Sequence, residues 1–207
     1  MNDVLAGYAA ASAELAARFE AISTRDLLAP VLDLLPSNSV RVADVGAGTG
    51  RDAAWFAAQG HDVLAVEPVA ELRAFGMAHH PGSCIRWLDD RLPILAAARE
   101  HAPFDLVTSC AVWQHLDNEV RPAAMSSLSA MTQTGGLLIL SLREGVGAPD
   151  RRVFPVSVPA TLAAADACGF DLVRAVEAPS VQAGNRANGV RWTWVALRKR
   201  LRRDPRR

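Results

Sequence analysis

The chain has 207 residues, half of them hydrophobic, with 22 basic and 22 acidic side chains and no formal net charge. That length and composition suit one globular domain with a sizeable core. The lack of an apolar run near eighteen residues argues against a bilayer span. Seven of the basic groups fall in 198–207 beside a single acid, so the rest of the chain is net acidic and does not resemble a face built to grip nucleic acid.

In chain order, apolar residues at helical spacing over 4–20 (Leu5, Tyr8, Leu15, Phe19) predict a first helix. Glu14, Arg18 and Glu20 interrupt it, which is unlike a signal segment. A second helix is predicted over 24–35 and stopped by Pro36. Strands and helices then alternate. Strand 41–45 is followed by helix 51–59, strand 62–67 by helix 69–79, strand 84–88 by helix 92–101, and strand 104–110 by helix 118–131. Gly135-Gly136 breaks into strand 137–142, and helix 158–168 precedes strand 170–177. A loop over 179–189 without helical pattern leads to a last strand over 191–198, with alternating Trp192 and Trp194. The alternation predicts an α/β fold: a doubly wound, seven-stranded, mostly parallel sheet with its last strand antiparallel and helices on both faces. Cys84, Cys110 and Cys168 are widely spaced and read as reduced core thiols of a cytoplasmic protein. No His/Cys/Asp cluster has metal-ligand spacing, so no metal is expected.

The chemistry concentrates after the first strand, in Asp44-Val45-Gly46-Ala47-Gly48-Thr49-Gly50. Glycines there let a ligand lie directly on the backbone. About twenty residues on, Glu67 ends the second strand and is held extended by Pro68. A carboxylate at that sheet edge is placed to accept from a ribose diol. Together these features point to an adenosine-containing cofactor. The dinucleotide fingerprint G-x-G-x-x-G is not met, because Arg51 stands where its last glycine belongs. An acid beside the loop also suits positive charge better than phosphates.

On these residues the chain resembles the class I S-adenosylmethionine-dependent methyltransferases, strongly over about 40–145. The resemblance implies S-adenosyl-L-methionine as cofactor and S-adenosyl-L-homocysteine as product. It also implies a cofactor site made of Asp44, Gly46, Ala47, Gly48, Gly50, Glu67, Pro68 and Cys110, with an acid at Asp89 or Asp90 for the adenine amino group. Asp89 is preferred there, the other being a helix N-cap. Tyr8 either meets the methionine moiety or packs between helices. His115, beside the end of strand four, is the candidate general base or else a loop-fixing residue. Trp113, Arg143 and Arg152 would face the acceptor, the arginines suiting a carboxylate or phosphate unless they form surface ion pairs.

The expected organisation is a helical cap over the cofactor site (1–36), a methyltransferase domain (37–198) and a basic tail (199–207). The expected function is methyl transfer by in-line displacement to a small molecule, in a monomer or homodimer, with no membrane partner. The rivals are a protein or RNA methyltransferase and a cofactor-binding subunit without turnover.

Overall fold

The computed structural model describes residues 2–82 and 84–201. Seven strands form one sheet: β1 (Arg41–Val45), β2 (Asp62–Val66), β3 (Ile85–Leu88), β4 (Phe104–Ser109), β5 (Thr132–Glu144), β6 (Phe170–Pro179) and β7 (Arg191–Lys199). Their spatial order is β3-β2-β1-β4-β5-β7-β6, with β7 antiparallel to both β5 and β6 and the other pairs parallel. Strand β7 thus slides between its two predecessors, and its first residues meet the last residues of β5, pairing Trp192 with Arg143 and Trp194 with Ser141.

Alternate residues of the central strands feed two cores. Ala43, Val45, Val107, Leu138 and Leu140 pack on one face against α6 (Ala96–Glu100), α7 (Arg121–Met131) and α8 (Val158–Ala167). Val42, Leu106, Leu137 and Ile139 pack on the other against α4 (Arg51–Ala58) and the N-terminal segment. Both faces of β1, β4 and β5 are therefore dry, which explains their near-continuous apolar runs.

The first predicted helix is broken. α1 (Asn2–Ala10) and α2 (Ser12–Glu20) meet at Ala11, whose φ of −101° and ψ of 11° depart from helical values. The predicted helix over 24–35 is one turn of α3 (Thr24–Leu27) followed by a 3₁₀ segment, Ala29–Leu34. Pro30 enters at the start of that segment, where it cannot donate to an α-helical ladder. Strand β5 begins five residues before Leu137, and α9 (Ala183–Ala187) occupies the loop predicted to lack helix. Cys84 is exposed and is not a core thiol. At the other end, Lys199 closes β7 and Arg200 is held by Asp171 at 2.8 Å and by Asp166, so the fold extends into the predicted tail. Residues 202–207 of that tail lie outside the described residues.

Helix α5 (Ala70–His79) packs against the turn after β1 through Gly76. A Cβ at 76 would sit 2.5 Å from the Thr49 carbonyl and overlap the Trp87 indole. Alanine in a helix interior ordinarily stabilises by about 1 kcal/mol over glycine. Here the sign reverses: Gly76→Ala is expected to cost about 1–3 kcal/mol, the scale of overpacking, read as a lowered urea midpoint.

Candidate functional site

The turn between β1 and α4 is fixed from below by the end of β2. Gly46 and Ala47 both donate to the Val66 carbonyl, at 2.8 and 3.1 Å. Gly48 donates to Glu67 Oε2 at 2.7 Å, while Glu67 Oε1 accepts from Val69 at 2.8 Å. Gly48 has φ 59°, a left-handed conformation that favours glycine, and it lines the cavity with the Phe19 ring 3.8 Å from where a Cβ would stand. Gly50 does different work: it caps α4 with φ 78°, and a Cβ there would lie 2.5 Å from the Trp87 ring.

Above this turn lies a cavity of about 420 Å³, within the ~300–1,000 Å³ typical of small-molecule sites. Asp44, Gly46, Ala47, Gly48, Glu67, Pro68, Asp90, Cys110, Tyr8 and His115 all line it. Gly50 does not line it, being turned under Trp87. Of the two neighbouring acids, Asp90 lines the cavity and Asp89, the preferred one, does not. Asp89 is exposed and pairs with Arg73 at 3.0 Å, outside the cavity. Asp90 lines the cavity and also caps α6, accepting from Ala98 at 2.8 Å.

None of the three residues expected to face an acceptor lines the cavity, although Arg143 is near enough for its charge to act on Tyr8 and His115. Trp113 lies in a 3₁₀ turn, Trp113–His115, that rotates its indole into the core, where Nε1 donates to Thr161 Oγ1 at 3.2 Å. Arg143 folds back onto the carbonyls of Gly145 and Val146 at 2.9 and 2.6 Å. Arg152 is exposed and lies over the Phe154 ring at 4.6 Å. Only its carbonyl belongs to the site's surroundings, accepting from His115 Nδ1 at 2.8 Å.

That last bond sets the imidazole. A carbonyl can only accept, so Nδ1 carries the proton and Nε2 keeps its lone pair. Tyr8 Oη lies 3.0 Å from Nε2 and donates to it, with the rings edge to face at 5.6 Å. Burial lowers the His115 pKa and raises that of Tyr8 to about 12. At neutral pH the pair is therefore a phenol donating to a neutral imidazole.

A second polar group sits under the opposite wall. Arg51 grips Asp52 through two bonds of 2.8 Å and donates to the Phe19 carbonyl at 3.0 Å. Asp52 also accepts from Thr24 at 2.7 Å. Asp44 accepts from Thr108 at 2.7 Å. Burial first, then the Asp52 carboxylate, pushes Asp44 up to about 7. Burial likewise raises Glu67 and the Cys110 thiol.

Several lining residues carry little sequence signal. Ser141, the lone hydroxyl in the apolar run of β5, accepts from the Ala111 amide at 2.8 Å. Ala111 itself has φ 57°, a strained conformation for a residue with a Cβ. Trp192 and Trp194 form part of the wall, and their two-residue spacing was the available clue.

Residues 13–153 match the family described as a methyltransferase domain. Solved structures share the fold. The 1,6-didemethyltoxoflavin-N1-methyltransferase of Burkholderia thailandensis, solved with 1,6-didemethyltoxoflavin and S-adenosylhomocysteine, is 20% identical. Its TM-score is 0.73, over 96% of this chain and 88% of that one. A TehB-like S-adenosylmethionine-dependent methyltransferase of Corynebacterium glutamicum is 21% identical, with a TM-score of 0.66 over 92% and 98%. The magnesium protoporphyrin IX methyltransferase of Synechocystis PCC 6803, solved with S-adenosylmethionine, is 17% identical, with a TM-score of 0.65 over 84% and 76%. No curated protein matches the chain.

The raised Asp44 pKa has a definite sign. Between the ordinary carboxylate range and about 7 the folded chain holds a proton that the unfolded chain has lost, so stability falls as pH rises through that window. Glu67 acts in the same direction. His115 and His61, whose pKa values burial lowers, act in the opposite direction, so the Asp44 contribution is read by difference: the urea midpoint of the wild type relative to Asp44→Asn is expected to decline from pH 5 to 8.

Proposed function

We propose a small-molecule acceptor for this chain, which belongs to the methyltransferase-domain family and is an S-adenosylmethionine-dependent methyltransferase. The observation that carries the acceptor reading is the cavity itself. It lies beneath the N-terminal helices, with Leu5, Tyr8, Phe19 and Leu27 among its lining, and this is the shape of a site for a buried ligand rather than a polymer. The Burkholderia neighbour, solved with 1,6-didemethyltoxoflavin and S-adenosylhomocysteine, supports the same reading.

The residues present fit the cofactor. The bare backbone at Gly48 lines the cavity beside the Phe19 ring, so a ligand can meet the main chain with no Cβ between them. Glu67 has two oxygens, each spending one lone pair on a backbone amide, and the remaining lone pairs suit a ribose diol. Asp44 and Asp90 place carboxylates along the same cavity, while Leu72 and Leu92 supply apolar walls for a base. A raised Asp44 pKa marks a carboxyl that gains from a nearby cation. The cofactor supplies a methyl already activated on a sulfonium. We assign the remaining work to the chain: it aligns the acceptor and excludes water, with residues 1–36 as the cap.

Where the accepting atom carries a proton, Tyr8 and His115 can take it. Tyr8 receives it on Oη as its own proton passes to His115 Nε2, and the Arg152 carbonyl steadies the imidazolium through Nδ1. The three cysteines are free thiols, which suits a reducing cytoplasm, and a monomer or homodimer completes the proposal. Among the described residues no helix is long and apolar enough to cross a membrane.

S-adenosylhomocysteine is expected to raise the melting temperature by mass action, and nicotinamide dinucleotides are not. Glu67→Ala should weaken that ligand by about 2 kcal/mol in calorimetry; an unchanged dissociation constant removes Glu67 from the site. With an acceptor found by screening for S-adenosylhomocysteine release, Tyr8→Phe and His115→Asn should each lower turnover about a hundredfold. Because the His115 pKa is lowered, the wild-type rate should be flat at pH 7–8 and fall only below the ordinary histidine value of 6.5. A rate that keeps rising through pH 7–8 assigns the proton to another group.

A further inference from the structure

The cavity lining also includes Leu27, Pro30, Ala178, Trp192 and Trp194; Leu27, Ala178 and Trp192 pack against the cluster that holds Trp194, so these residues form an apolar arm of the lining. Residues two apart on a strand share a face, so both indoles of β7 present themselves to the same side. Trp194 is almost fully buried and Trp192 is partly so. The polar groups on the same lining are the Ser141 hydroxyl, the Cys110 thiol, which burial keeps protonated, and Asp26, Ser180 and Gln182, sequence neighbours of Leu27 and Ala178.

The cations around it are committed. Arg51 is forked on Asp52, Arg143 is bound to two carbonyls, and Arg174 bonds the Pro30 carbonyl and pairs with Asp33 at 2.5 Å. An acidic acceptor would surrender its hydration without gaining a forked partner, and it would approach Asp44 and Asp52. A cationic acceptor would find indole faces, but it would meet the positive sulfonium at the point of reaction. Flat, neutral surface is what two indoles and a proline ring match best.

We propose that this arm takes an uncharged aromatic or heteroaromatic acceptor, laid along Trp192 and Trp194, with its reacting oxygen or nitrogen turned toward the Tyr8–His115 pair. The inference rests on the small-molecule methyltransferase reading. A ring O–H or N–H is the reacting group. Its lone pair forms the new bond to the methyl carbon, and the carbon–sulfur pair stays on sulfur. The ring proton goes to Tyr8 as Tyr8 passes its own to His115. The products are the methylated ring, S-adenosylhomocysteine and one proton.

The test is calorimetry on protein saturated with S-adenosylhomocysteine, using four probes of similar size: 2-naphthol, 2-naphthoate, 2-naphthylmethylammonium and decahydro-2-naphthol. Binding of 2-naphthol at least tenfold tighter than each of the others is expected. Trp192→Leu should lose at least tenfold of that affinity while holding S-adenosylhomocysteine as tightly as wild type, and Trp192→Phe should retain it. Ala178→Phe, which fills the arm from β6, should lose it as well and serves if the tryptophan variant fails to fold. Equal or tighter binding of the anion, the cation or the saturated ring overturns the proposal, as do failure of all four probes to bind and undiminished 2-naphthol affinity in both the Trp192→Leu and Ala178→Phe variants. Failure of the wild-type protein to bind S-adenosylhomocysteine instead sinks the methyltransferase reading beneath it.

Discussion

Three amides of the glycine turn hang from the end of β2, two on the Val66 carbonyl and one on the Glu67 carboxylate. A turn with so many glycines loses more conformational freedom on ordering than any other stretch of equal length. These bonds offset that loss and hold the cavity floor in one shape. Glu67 also takes the amide of Val69, so one carboxylate joins the turn after β1 to the approach of α5. Its position is fixed by the sheet, since β1 and β2 run parallel in register from Arg41–Asp62 to Val45–Val66. The acid that ends β2 is thus a structural brace as well as a candidate ligand group, and its two oxygens retain capacity for both roles.

The site keeps charge out of its interior by pairing or neutralising it. Arg51 and Asp52 cancel each other beside the cavity, and Asp44 sits high enough in pKa to share its proton near neutrality. Isolated charges in such surroundings are costly. Tyr8 and His115 follow the same rule, as a neutral donor and a neutral acceptor. A pair arranged this way can receive one proton without any heavy atom moving far, because the Arg152 carbonyl already faces the second ring nitrogen.

Elements governed by local pattern were legible in the sequence. The strand–helix alternation, the glycine run, Glu67 and the antiparallel last strand all follow from period, punctuation and residue type, and the sheet has that form. Features set by tertiary geometry were not. Nothing in Ala10-Ala11-Ser12 announces a helix break, since alanine is the best helix former. The inward turn of Trp113 depends on a single 3₁₀ turn, which no apolar period reveals. Asp89 and Asp90 differ by one position, so the local backbone alone decides which carboxylate reaches α6. Arg143 is drawn off by the carbonyls of its own following loop, a competition that charge and spacing do not display.

The N-terminal segment is tied down unevenly. Thr24 is bonded to Asp52 in the interior, and Asp33 is clamped by Arg174 on the outermost strand, so the 24–34 stretch is riveted at both ends. α1 instead rests on the 148–154 stretch, with Gly7 against the Asp150 carbonyl and the Arg151 guanidinium 5.4 Å from the Tyr8 ring. Parting those two surfaces would separate Tyr8 from His115, which are bonded at 3.0 Å. The proton relay proposed for that pair therefore exists only while α1 is seated on the 148–154 stretch.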